Sequence, residues 1–381
     1  MGRRLNVLVF PAWYPSPENP GAVSFLREHV RAVGLHHNVL VLVGSREPSA
    51  VSCPVLFERT VEDGVPVLRM RYRRSPLPKT TWLRYARGIV SAYRSVLRTG
   101  FTPDLIHAHF YPAALPASAL GKLFRVPVLL TENSASFAVG LNGMTRLEAR
   151  FALARVRLVI AVSGSLRFQM EAAGIRQEFR VIPNPVDTGV FFPDPSLRPS
   201  AAGRKRVLIV ARLHPIKGFS TLLNGLAILK RSREDFVLDV VGDGELRAEL
   251  ESLALRLGLR SRVAFHGFQP REVVADFMRR SHVFVLSSHS ENCPCVLLEA
   301  MATGLPVVSS DVGGVREVVP KDMGALFPRG DAEAFAASLA WILDRLDSYD
   351  PFEIAAHARA HFSLEAVGGQ IDEAYSRVLA S

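Results

Sequence analysis

The chain has 381 residues, 48% of them apolar, enough for two domains with full cores. No uninterrupted apolar run approaches about 18 residues, and the opening segment MGRRLNVLVFPAWYP has too short a core for a signal region, so the expectation is a cytoplasmic protein. The net charge of +10 lies wholly in the first half: residues 1–190 hold 24 Lys and Arg against 12 Asp and Glu, a net of +12.

Strand-like runs alternate with amphipathic ones along the whole chain, the signature of parallel βαβ units. In the first half they fall at 6–10, 38–43, 65–70, 104–109, 126–131, 157–163 and 179–184. After the first run, NPGAVSF (19–25) carries Gly21, which by itself reads as a simple turn. The loop lacks G-x-G-x-x-G, so the nicotinamide-binding fingerprint is missing.

Residues 64–103 then carry nine basic residues and no acid, with Trp82, Tyr85 and Tyr93 interleaved. Such a run reads as a solvated face or as a seat on an anionic membrane surface. No module pattern for nucleic acid accompanies it, and none is expected as a partner.

His107 and His109 lie two apart and share one face of a strand, with no third ligand at metal spacing. The three cysteines, Cys53, Cys293 and Cys295, build neither a disulfide framework nor a zinc site. The strand at 126–131 ends in Thr131-Glu132-Asn133.

The stretch 185–205 is rich in Pro, Gly and Ser and breaks the alternation. It places a first domain at 1–188, a linker at 189–205 and a second domain at 206–363, followed by a helical tail at 364–381. Strand-like runs resume at 207–211, 236–242, 262–267, 282–288, 305–310 and 324–328, nearly continuous in Val, Ile, Leu and Phe as in strands covered on both faces.

The polar motifs of this half all follow strand ends, where open parallel sheets bind ligands. Arg212 and Lys217 in ARLHPIKGF follow the first strand and precede a helix near Phe219, a fork donor and a point charge suited to a diphosphate. VGDGE (241–245) follows the second, where Gly242 and Gly244 by themselves read as a tight turn. HGF (266–268) follows the third and SSHSEN (287–292) the fourth. Pro294 is expected in the first helical turn, leaving Glu291 in the entering loop and Glu299 about two turns inside. Helix-start amides receive phosphate, and the two carboxylates accept from hydroxyls on either side of it.

Together, ARL-x3-KG and E-x7-E resemble the retaining glycosyltransferases of family 4 over most of the chain. The resemblance implies an α/β GT-B fold, with two doubly wound Rossmann-like parallel-sheet domains facing across a cleft and the last helix crossing back to the first domain. It also implies a nucleoside-diphosphate-sugar donor and a saccharide or lipid-linked acceptor in cell-envelope, exopolysaccharide or glycolipid synthesis. Glu291 would meet the transferred sugar, Glu299 the ribose, and Gly267 and Phe268 the base. The amides around Asn292, Cys293, Pro294, Cys295 and Val296 would lie near sugar and phosphate, with Gly21 and Gly242 lining the donor. His109 and Glu132 are candidates on the acceptor side.

Many relatives have a His where this chain has Asn133, which cannot exchange a proton near neutral pH. No D-x-D triplet occurs, so neither a metal nor another cofactor is expected to hold the diphosphate. The rival readings are a nucleotide-sugar 2-epimerase of the same fold and a catalytically weak nucleotide-sugar-binding partner.

Overall fold

The computed structural model describes residues 3–16, 25–47, 55–73, 78–134, 136–200 and 203–380. The chain divides into two compact units, Met1–Pro183 with Val367–Ser381, and Asn184–Ala366.

Unit 1 holds strands β1 (Asn6–Pro11), β2 (Asn38–Glu47), β3 (Val55–Glu62), β4 (Val65–Arg73), β5 (Leu105–His109), β6 (Val128–Glu132), β7 (Leu158–Ala161) and β8 (Phe179–Val181). Their order is β3-β4-β2-β1-β5-β6-β7-β8, parallel except for the antiparallel pair β3/β4. The helices between them are α1 (Phe25–His36), α2 (Pro78–Leu97), α3 (Tyr111–Phe124), α4 (Ser136–Val139), α5 (Gly143–Leu153) and α6 (Gly164–Ala172). Val7, Val9, Val41, Leu129 and Ile160 form the core of this sheet.

Strand β3 has no counterpart among the expected runs. It pairs with β4 through a two-residue turn in which Asp63 and Gly64 both have positive φ, 50° and 78°. Asp-Gly is the dipeptide that such a turn favours, so the signal was present without a long apolar run to announce it.

Unit 2 holds β9 (Lys205–Val210), β10 (Phe236–Val241), β11 (Val263–Phe265), β12 (Val283–Leu286), β13 (Val307–Ser310) and β14 (Gly324–Phe327), in the all-parallel order β11-β10-β9-β12-β13-β14. Its helices are α7 (Phe219–Leu229), α8 (Arg247–Arg256), α9 (Arg271–Arg279), α10 (Cys295–Ala302), α11 (Val315–Val318), α12 (Ala332–Leu343) and α13 (Pro351–Phe362). The winding reverses between β9 and β12, and such a switch point leaves a crevice beyond the strand ends.

The first unit ends at residue 183, and residues 189–200 of the expected linker are held in unit 2. Phe191 is fully buried, and Arg279 donates to the carbonyls of Val190 and Phe192. Pro and Gly there prevent regular structure without preventing burial. The last helix, α14 (Leu364–Ala380), supplies Val367, Ile371, Ala374, Tyr375 and Val378 to the core of unit 1. Their spacing of three and four puts them on one helical stripe.

Candidate functional site

A polar network of unit 2 lies where β9 and β12 end. After β9 the chain passes Arg212 and enters a 3-10 turn, Pro215–Lys217, started by His214, whose Nδ1 accepts from the Ile216 N–H at 3.2 Å. Gly218 follows with φ 62°, and a Cβ there would overlap the Ser287 carbonyl oxygen. Only glycine lets the turn approach β12 this closely.

That approach sets the side chains. The Ser287 hydroxyl donates to the Lys217 carbonyl at 2.9 Å, and Lys217 Nζ donates to Glu291 Oε1 at 2.6 Å. Ser288 Oγ donates to the same oxygen, also at 2.6 Å, while the Ser288 carbonyl accepts from Ser310 Oγ. The Lys217 side chain is 24% exposed and that of Glu291 11%, so water screens the pair incompletely. On the far side Gly313, φ 53°, leaves no room for a Cβ beside the Glu291 carbonyl. Arg212 is exposed and makes no side-chain hydrogen bond or ion pair among the described residues.

Helix α10 starts one residue later than expected. Pro294 is its N-cap, with extended backbone, and Cys295 is its first residue. Glu299 therefore stands about one turn inside, nearer the helix start than the two turns read from the sequence. It is half-buried, as are Cys295 and Val296, while Asn292 is buried. Cys293 is 4% exposed, its Sγ accepting from the Asn184 N–H and its carbonyl from Asn184 Nδ2. Burial pushes its thiol up to about 12, so this side chain packs the loop.

Beyond β10, Gly242 has φ 133° and donates its N–H to the Gly267 carbonyl at 2.8 Å, tying together the loops after β10 and β11. His266 Nε2 bonds Asp239 Oδ1 at 2.7 Å, and Asp239 Oδ2 accepts from Arg206 at 2.8 Å. Phe268 beside it is 64% exposed, a flat apolar ring open to a ligand. Ser288, Ser310, Gly218, Gly313 and Asp239 were not singled out from the sequence. Ser288 and Gly313 had signals, in SSHSEN and in the Gly pair after β13; Asp239 inside a strand had none.

The unit 1 candidates are more deeply buried. Glu132 is fully buried, and its carboxylate accepts from the N–H groups of Tyr111, Asn133 and Ser134. Burial raises its carboxyl above the ordinary range, and those hydrogen bonds pull against the shift. It ties the start of α3 to the end of β6, which accounts for its buried charge without an acceptor. Asn133 next to it is half-buried.

His107 bonds Tyr375 Oη and Thr131 Oγ1, both at 2.7 Å, and its ring stacks on His109 at 4.2 Å. His109 is 3% exposed, and burial, with His107 and His29 nearby, holds it well below its ordinary value. It is a neutral ring in the core of the unit at the end of β5. Gly21 lies outside the described residues.

The basic run is less bare than its sequence. Glu58 and Glu62 of β3 pair with Arg71 and Arg69 of β4, and Arg69 is 5% exposed. Tyr85 is half-buried and Tyr93 is buried against Phe124, leaving Trp82 as the exposed aromatic. The acids were invisible in the run because they arrive from the neighbouring strand. No helix among the described residues is long and apolar enough to cross a membrane.

Two family models match in tandem, one described as Glycosyltransferase Family 4 over residues 21–190 and one as Glycosyl transferases group 1 over 197–358. The chain is 35% identical over 161 residues to the amylovoran biosynthesis glycosyltransferase AmsK of Erwinia amylovora, covering 40% of each chain. It is 33% identical over 250 residues to EpsF of Bacillus subtilis (strain 168), covering 61% of this chain and 63% of that one. These matches thus span less than two thirds of either relative. Among solved structures, Anabaena HepE in complex with UDP superposes with a TM-score of 0.77 at 22% identity, over 98% of this chain and all of that one.

Proposed function

The chain belongs to the family 4-type glycosyltransferases and has their GT-B pair of Rossmann-like units, and from that premise we propose that it moves a sugar from a nucleoside diphosphate to an acceptor hydroxyl. The observation that carries the reading is the Lys217–Glu291 pair beside an unpartnered Arg212 at the switch point of unit 2. A diphosphate between Arg212, Lys217 and the first-turn amides of α10 meets two cations and a positive helix end. Lys217 then shares its charge between Glu291 and the phosphate. Glu291 accepts from a hydroxyl of the sugar, and Glu299 accepts from the ribose.

Charge growing on the departing diphosphate is the quantity these fixed donors stabilise, and fixed donors cost no reorganisation when the bond breaks. Transfer proceeds with retention, the acceptor attacking the face that the diphosphate leaves and the leaving phosphate taking its proton. Such a route needs no enzyme base, which suits Asn133 at the position where many members of the resembled family have His. It also needs no metal, since the two cations and the helix start carry the countercharge. Closure over the donor excludes water and limits hydrolysis.

HepE is described with UDP and AmsK is named for amylovoran biosynthesis, so UDP-sugars and saccharide or lipid-linked acceptors are the first substrates to test. Assayed against a panel of UDP-sugars, Arg212→Ala and Lys217→Ala each lower transfer by about a hundredfold or more. Turnover unchanged in either folded variant would rule out this assignment. Epimerisation of the free nucleotide-sugar without an acceptor would redirect the reading to the 2-epimerase.

A further inference from the structure

Unit 1 has a cavity of about 480 Å³ at the edge where β6 and β7 begin, the opposite end of the sheet from the strand ends that carry His109 and Glu132. Its wall includes Lys122, Arg125, Arg155 and Arg157 and no carboxylate. None of the four forms an ion pair among the described residues, and Lys122 and Arg125 make no side-chain hydrogen bond there either. Arg157 donates to the Val378 carbonyl at 2.8 Å, and Arg155 donates to the Phe151 carbonyl. Four exposed positive groups thus line one cavity, and none of them has a carboxylate partner among the described residues.

Two further features bear on what fills the cavity. Ser118 lines it, is 8% exposed, and has an Oγ with no hydrogen-bond partner. A buried hydroxyl left unpaired is costly and asks for an explanation. Beside the cavity the Arg155 guanidinium lies 3.4 Å from the centre of the Phe151 ring. Phe151 continues an exposed stripe on α5 with Met144 and Leu147, respectively 52%, 76% and 66% exposed. Positions 144, 147 and 151 share one helical face. Large apolar side chains rimmed by arginines are the chemistry of a protein face that meets headgroups and the acyl boundary beneath them.

We propose that this cavity binds the phosphate headgroup of an anionic lipid, with the α5 stripe seated in the adjoining acyl boundary. Guanidinium groups match phosphate oxygens through paired donors, and a lipid phosphate presents the negative charge that the four cations lack. The site lies apart from the exposed α2 arginines Arg87 and Arg94, which belong to the basic run of the sequence, so the two can be tested apart.

The experiment uses the full chain without donor, sedimented with vesicles of phosphatidylglycerol and phosphatidylcholine, or of phosphatidylcholine alone. Binding is expected to the first only. The pair Arg125→Asn with Arg155→Gln lowers the partition by about tenfold or more, and Leu147→Ser lowers it independently. Arg87→Gln with Arg94→Gln, which removes equal charge from α2, changes it by less than about twofold.

Arg125 has a left-handed backbone, φ 58°, that Asn tolerates better than Arg. Arg125→Asn alone therefore keeps or raises the melting temperature while weakening binding, which separates loss of the site from loss of the fold. Loss confined to the α2 pair would overturn the proposal, as would equal binding to both vesicles. Calorimetric binding of glycerol phosphate without vesicle binding would overturn the lipid source and assign the cavity to a small phosphate.

Discussion

Glu291 Oε1 accepts from both Lys217 Nζ and Ser288 Oγ, and its backbone is held by the close approach of Gly313. Gly313→Ala must move one of the two strands of chain, since the added Cβ overlaps a carbonyl oxygen, and it also strains a left-handed residue by about 1–2 kcal/mol. The variant is expected to lose at least that much stability in urea unfolding and to lose transfer activity with it, because Glu291 shifts. A fully stable, fully active Gly313→Ala protein would show that this loop does not position the carboxylate.

A second residue-scale consequence concerns His107, whose pKa burial lowers from 6.5 to about 3. The unfolded chain binds this proton over that window and the folded chain does not. Stability from this group is thus complete above about pH 6.5 and falls by about 1.4 kcal/mol per pH unit as the pH drops towards 3. Burial lowers His109 as well, in the same direction. Urea midpoints should fall between about pH 7 and about pH 5, more shallowly in His107→Asn; equal slopes would remove the histidine from the account.

At the scale of elements, the β3–β4 hairpin shows how neighbours change the meaning of a sequence run. Its turn requires positive φ at Asp63 and Gly64, and open space surrounds Gly64. Gly64→Ala should therefore cost only backbone strain, about 1 kcal/mol, seen as a lower thermal midpoint with no loss of donor binding. A much larger loss would mean that the turn is packed. The same hairpin brings Glu58 and Glu62 to Arg71 and Arg69, so part of the basic run is internal pairing and the surface charge shifts to α2 and to the cavity beside α3.

Helix α10 makes a similar point. Pro294 marked its start, but as the cap rather than the first residue, and counted from Cys295 at 3.6 residues per turn Glu299 stands about one turn inside. A proline signals a helix entry without distinguishing the two positions, because both accept its φ and neither needs its donor.

For the molecule as a whole, the deciding element is α14. Tyr375 is fully buried in unit 1 and its hydroxyl bonds His107, some 268 residues away in the chain. Deleting residues 367–381 opens the core at Val367, Ile371, Ala374, Tyr375 and Val378. Losing several such side chains removes about 2 kcal/mol or more each, comparable in sum to the stability of a whole domain. The truncated chain is expected to be insoluble or to lose the unfolding transition of unit 1. A folded, cooperative product would show that the helix is dispensable.

The sequence by itself determined the alternation of strand and helix, because runs covered on both faces are written in consecutive Val, Ile and Leu. It also placed Arg212, Lys217 and Glu291 at strand and helix ends, since β-strands and Pro-led helices announce their limits locally. Only the tertiary structure decided that Lys217 and Glu291, 74 residues apart, share a hydrogen bond, and that Glu132 and His109 are buried. It alone gathered Lys122, Arg125, Arg155 and Arg157 around one cavity. The physical reason is common to all three. Periodicity records which face of an element is covered, while partners depend on strand order and on close approaches such as those at Gly218 and Gly313, which no local pattern encodes.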